Sequence, residues 1–180
     1  MKLFLAILFS LSYPLGAKIT PPNYDFKFDL IEKFFPSKSI EEVKKLNLKF
    51  ETIEDNGDQK LIKYKFVRKE YSLDIYTQIK KETIVDTYIR MPQFFNHDLF
   101  LKDLQTKYKK QDKFKNKDGS SYYVWFNRDN MNILYQGSCS ITCFPMFIEF
   151  VSATDKSTTP LFKKFNDSLF PLSFDVPQSK

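Results

Sequence analysis

The sequence predicts an α+β protein: an antiparallel sheet, or sheets, packed against a long helix. Three observations predict it. Strict alternation of polar and apolar residues recurs in run after run from residue 48 onward. Only one long stretch, about 97–110, carries helical spacing instead. Turn residues such as Asn56-Gly57 separate the alternating runs at hairpin distances. Alternation with period two marks strands with one buried and one wet face, whereas apolar residues three and four apart mark a helix packed on one side.

Residues 1–17 stand apart from that pattern and read as a secretory signal peptide. Lys2 supplies the positive start, and Leu3 to Leu11 form an apolar run broken only by Ser10. The run suits a signal core and is too short to cross a bilayer as a helix. Tyr13, Pro14 and Gly16 end it, with cleavage after Ala17 or after Ser12. No later stretch is apolar for long enough to span a membrane, so the mature chain is expected to have no transmembrane segment. Cleavage after Ala17 leaves 180 − 17 = 163 residues, enough for one domain with a core of its own.

Composition narrows the class. The chain is 42% hydrophobic and 17% aromatic, which excludes a disordered protein. Its net charge is +6, or +5 once Lys2 leaves with the signal. Lysines are spread along every segment, which reads as a solvated surface; export argues against nucleic acid as a partner. The expected partner is a protein or an envelope component, in the periplasm or outside the cell.

In chain order, residues 18–36 form an extended lead-in segment stiffened by Pro21-Pro22. Tyr24, Phe26 and Phe28 alternate with charge like a short strand, and Leu30, Ile31, Phe34 and Phe35 have near-helical spacing. These aromatics are expected to staple the segment to the domain, 37–168. Ser39-Ile40-Glu41-Glu42 is a capping box opening a short helix with Ile40, Val43 and Leu46 inward. Four strands follow. Leu48, Phe50 and Thr52 alternate in the first, and Ile62, Tyr64 and Phe66 share one face of the second. Leu73, Ile75, Thr77 and Ile79 share a face of the third, and Val85, Thr87, Ile89 and Met91 one of the fourth. Pro92 stops that strand. Asn96 then caps the long helix, whose inner stripe is Leu101, Leu104 and Tyr108, with Phe100 beside it.

A second strand group follows the helix. Phe114 lies in a short strand, Tyr122 to Phe126 in a strongly β one, and Met131, Ile133 and Tyr135 in the return. Met146, Ile148 and Phe150 form the last strand. Thr159-Pro160 starts a short terminal helix containing Leu161, Phe162 and Phe165, and residues 169–180 are a loose tail. The order helix, four strands, helix, up to four strands, helix looks like an α–β4 unit used twice in tandem. In layout it resembles secreted inhibitors of the β-lactamase-inhibitor type.

Few residues offer chemistry. Cys139 and Cys143 form an even pair in an exported chain and are expected to close a disulfide. Bridging them requires the intervening residues to turn, and by loop entropy so small a ring stabilises by roughly 2 kcal/mol. The Cys-x3-Cys spacing is similar to that of thioredoxin-like copper-delivery proteins of the Sco type, and Met146 is a nearby thioether. Against that, Pro145 is displaced by one residue from that family's proline, the only histidine, His97, precedes the cysteines, and βαβ crossovers are missing. No metal and no cofactor are expected. His97 falls in the first turn of the long helix, in a solvent-facing or capping role, and no nucleophile motif accompanies it. Four scattered glycines cannot make a phosphate-cradling loop.

The aromatic set Tyr122, Tyr123, Trp125 and Tyr135 is the candidate binding surface, because Tyr and Trp give large contact areas at low entropic cost. The competing reading places these residues between sheet and helix. The function expected is therefore that of an exported, non-catalytic binding or adaptor protein. Its contacts would use those aromatics, the disulfide-closed loop and flanking lysines. The alternatives are a small enzyme with a carboxylate- or His-based site, and a carrier of an apolar ligand.

Overall fold

The computed structural model describes residues 26–92, 95–117, 119–137, 146–155 and 157–165. Eight strands form one antiparallel sheet: β1 (Lys49–Asp55), β2 (Gln59–Val67), β3 (Ser72–Lys80), β4 (Thr83–Arg90), β5 (Lys113–Lys117), β6 (Ser120–Arg128), β7 (Met131–Gly137) and β8 (Phe147–Ser152). Their spatial order is β1-β2-β3-β4-β8-β7-β6-β5. Each group of four is a meander, and the two meanders join through their last strands, with Tyr88 opposite Glu149 and Ile89 opposite Ile148. A helix precedes each meander: α1 (Ile40–Lys44) the first and α2 (His97–Tyr108) the second. A last helix, α3 (Leu161–Phe165), follows β8.

Local chemistry accounts for most element ends. Ser39 caps α1, its side chain accepting from the Glu41 N–H, and Ile40 and Val43 point inward. Asn96 caps α2 by accepting from the Leu99 N–H at 3.1 Å. At the β1–β2 turn Gly57 takes φ 76°, a left-handed conformation open to glycine without steric cost, and its N–H donates to Asp55. Asn56 is not in that region, so one residue of the pair supplies the positive φ.

One face of the sheet is covered by the lead-in segment, α1 and α2. Ile62, Leu73, Ile75, Ile89, Trp125, Ile133, Ile148 and Phe150 are buried there against Phe26, Phe28, Phe34, Phe35, Phe100 and Leu104. Backbone bonds lash the lead-in to β4: Ser37 N–H donates to the Ile84 carbonyl, and Ile84 N–H to that of Lys38. Thr87 adds a side-chain bond to the Phe34 carbonyl.

Three expectations need correction. The lead-in does not run as a strand through Phe28; residues Phe28–Leu30 and Glu32–Phe34 are single 3-10 turns, which bring Phe28 and Phe34 onto the core. The helix expected over 97–110 is not long. It spans twelve residues and stops at Tyr108 because Lys109 turns to φ 68°, ψ −167°. The wet second face expected of every strand is absent from the middle of the sheet. In β4 and β8 nearly all residues, and in β3 two thirds of them, are buried, on both faces, because α3 lies across the second face. Leu161 and Phe162 pack there on Leu61, Tyr76, Tyr88, Val124, Leu134 and Phe147. Among the described residues no helix is long and apolar enough to cross a membrane.

Candidate functional site

The chemically unusual place in the molecule is the seam between the two meanders, on the face that α3 covers. Asp86 of β4 and Glu149 of β8 are both fully buried there. Asp86 lies opposite Val151 and Tyr88 opposite Glu149, so the two carboxyls sit one register step apart on the same face. Two consecutive amides at the start of α3 point at them. The Leu161 N–H donates to Asp86 Oδ2 and the Phe162 N–H to Glu149 Oε1, each at 2.7 Å. Pro160, just before, has no N–H, and its carbonyl accepts from Lys163 and Lys164. The first free donors of the helix are thus satisfied by the sheet.

The remaining oxygens, Asp86 Oδ1 and Glu149 Oε2, are buried without a partner that a pair of ionised carboxylates could provide. One proton between the two side chains would satisfy both. Burial pushes the Asp86 carboxyl up to about 7, opposed by the bonds it accepts from the Leu161 amide and from Glu149. Burial, followed by the charge of Asp86, pushes Glu149 well above the carboxylate range. A proton on either carboxyl can be donated to the other. Two carboxyls that cannot both ionise are an acid–base arrangement in principle. Here Leu161 and Phe162 seal the pair from water, and what it does in this conformation is hold α3. Aromatic rings complete the cover: Phe147 stacks between Tyr88 at 4.9 Å and Phe162 at 5.1 Å, and Phe165 lies 5.2 Å from Tyr88.

Beside α3 opens a polar cleft of about 470 Å³, lined by Glu54, Lys60, Gln78, Ser157, Lys163 and Lys164 among others. Its charges are largely matched. Lys164 is paired with Glu54, and Lys60 with Asp55 at 3.1 Å.

His97, the first residue of α2, is half-buried rather than solvent-facing, a further correction to what the sequence suggests. Its ring stacks on Tyr135 with centroids 5.6 Å apart. Tyr135 donates to Met146 Sδ, so its oxygen accepts from His97 Nδ1 at 2.9 Å, leaving Nε2 facing the Tyr123 hydroxyl at 3.4 Å. Burial lowers the His97 pKa against the pull of Asp98, and burial raises those of Tyr123 and Tyr135. The group is a neutral packed network. Gly137 belongs to it by exclusion: a Cβ there would fall 2.2 Å from His97 Nδ1.

The four aromatics taken as a binding surface are inside. Trp125 and Tyr135 are completely buried, and Tyr122 and Tyr123 nearly so. Tyr123, Trp125 and Tyr135 belong to the helix-covered core, where Trp125 Nε1–H donates to the Lys109 carbonyl at 2.8 Å. The structure brings His97, Tyr123 and Tyr135 together. Cys139 and Cys143 lie outside the described residues. Among the described residues no three His, Cys, Asp or Glu side chains gather as metal ligands.

Sequence reasoning missed Asp86 and Glu149. A signal existed for one of them: Glu149 is the single charge in the run Met146 to Ser152. A carboxylate inside an apolar strand demands a partner. No family model, no curated protein and no solved structure matches this chain.

Proposed function

We propose that this chain is an exported, non-catalytic binding protein that meets its partner along the open edges of its sheet. The observation that carries the reading is where apolar surface remains in water. Phe50 and Ile53 on β1, Val67 at the end of β2 and Phe114 on β5 are 64%, 41%, 65% and 51% exposed. Three of these four lie on the two outermost strands. β1 is exposed along nearly its whole length, and its outer main-chain groups have no strand beside them among the described residues. An open edge carrying apolar side chains is a template for an added strand, with main-chain bonds giving affinity and side-chain contacts giving choice. This surface replaces the buried aromatics as the contact region.

The finer layout supports the same reading. Each meander follows its own helix, and the strand order mirrors itself about the β4–β8 seam. On this reading the chain is an α–β4 unit used twice, the layout in which it resembles secreted inhibitors of the β-lactamase-inhibitor type. Export rests on residues 1–17, and a Cys139–Cys143 disulfide follows from export.

The test is site-specific photo-crosslinking in the exporting cell, with the crosslinker at Phe50 and, as control, at Lys102 on the exposed side of α2. A discrete heavier adduct from position 50 alone is expected. No adduct, or the same adduct from both positions, would count against edge binding. The intact mass of the recovered protein checks the rest: lighter by the signal peptide, and heavier by two protons after reduction.

A further inference from the structure

We propose that Asp86 and Glu149 share one proton and, with the first two amides of α3, form a latch that holds the last helix on the sheet at acid and neutral pH and releases it at alkaline pH. The geometry requires a proton. Two carboxyl groups on adjacent central strands are buried, each with one oxygen on a backbone N–H at 2.7 Å and the other without a partner. Both ionised, they would place two like charges side by side out of water, with neutral backbone N–H groups of Leu161, Phe162 and Thr87 to balance them. With one proton, the orphan oxygens become donor and acceptor to each other.

Among the described residues no cation lies in place to substitute for that proton. From β3 the pair meets Gln78, opposite Asp86, and Tyr76, opposite Tyr88. From β7 it meets Leu134, opposite Glu149, and Asn132, opposite Val151. From β2, Leu61 lies opposite Gln78, and Lys63 is held by Asp74 at 3.4 Å. On β4, Arg90 stacks over the rings of Tyr76 and Phe165. On α3, Lys164 is paired with Glu54, and Lys163 lines the neighbouring cleft. On the approach to α3, Asp155 is held by Lys80 of β3. Leu161 and Phe162 of α3 bond the two carboxyls and pack over that face of the sheet, so lifting α3 would admit water and let both groups ionise. Opening is thereby linked to proton release: its equilibrium constant rises about tenfold per pH unit for each proton held by the closed pair and lost by the open one.

The experiment is amide hydrogen exchange of the full chain between pH 6 and pH 8, corrected for intrinsic rates, with β4 and β8 amides as internal reference. The expected result is a roughly hundredfold rise in opening at Leu161 and Phe162 across that range, without a parallel rise in β4 and β8. Glu149→Gln keeps an acceptor for Phe162 N–H and adds a permanent donor to Asp86, so its opening should change by less than about threefold. Asp86→Asn keeps the same set of bonds with the donor reversed and should behave alike. Wild-type opening that does not change with pH would overturn the proposal. So would an undiminished pH response in the variants, or equal loss of protection in β4 and β8, which would mean global unfolding instead of a latch.

Discussion

The helices α2 and α3 begin in the same way and for different reasons. In each, side-chain oxygens accept from amides of the first turn, one in α2 and two in α3. For α2 the oxygen belongs to Asn96, three residues from the amide it accepts. For α3 the oxygens belong to Asp86 and Glu149, 75 and 13 residues from theirs. At its other end α2 is tied down again, by Trp125 Nε1–H to the Lys109 carbonyl and Arg128 Nε to that of Tyr108. The first helix is therefore fixed by bonds that do not titrate, over an apolar core. The second is fixed by two acids in a place where only one proton keeps them compatible. Helix α2 is a structural wall, and α3 is a cover whose hold depends on pH.

The largest expected effect breaks the wall. Trp125→Ala opens a cavity between β6 and α2 and strips the Lys109 carbonyl of its donor. It should cost about 4 kcal/mol in a denaturant-unfolding measurement, and no more at one pH than another. A smaller effect, of opposite character, belongs to the cover. Both carboxyls have folded pKa values raised above their unfolded ones, near 4. Their contribution to stability is complete below pH 4 and is lost as pH rises, for Asp86 through about 7. Stability measured by denaturant titration should accordingly fall between pH 4 and pH 8. Glu149→Gln should flatten most of that fall; an equal fall in the variant would place its cause elsewhere. The smallest effect is local. Asn96→Ala removes one cap and should cost about 1 kcal/mol, independent of pH.

The same contrast explains what could be read in advance. Asn96, Ser39 and the Gly57 turn act within a few residues of themselves, so their roles were visible in the sequence. Alternation placed the four strands of the first group, because a strand's own side chains report which face is buried. Alternation failed where both faces are covered. In β4, Ile84 to Ile89 are buried without a break, and no local pattern says that Asp86 belongs under a helix seventy-five residues later. His97 misled for the same reason. Its place at a helix start suggested solvent, whereas Gly137 lets the end of β7 approach and close over it. Tyr122, Tyr123, Trp125 and Tyr135 could be read as surface or core from the sequence, and the packing of α2 on the sheet decided for core.

By itself the sequence determined the α+β class, the order of its elements and the caps of α1 and α2. These depend on interactions between near neighbours, whose spacing is written in the chain. Only the tertiary structure decided the pairing of β4 with β8, the burial of both sheet faces at the centre, and the meeting of Asp86 and Glu149 beneath α3. Those outcomes depend on which distant surfaces exclude water together, and a carboxyl group acquires its unusual proton affinity only once such surfaces have closed over it.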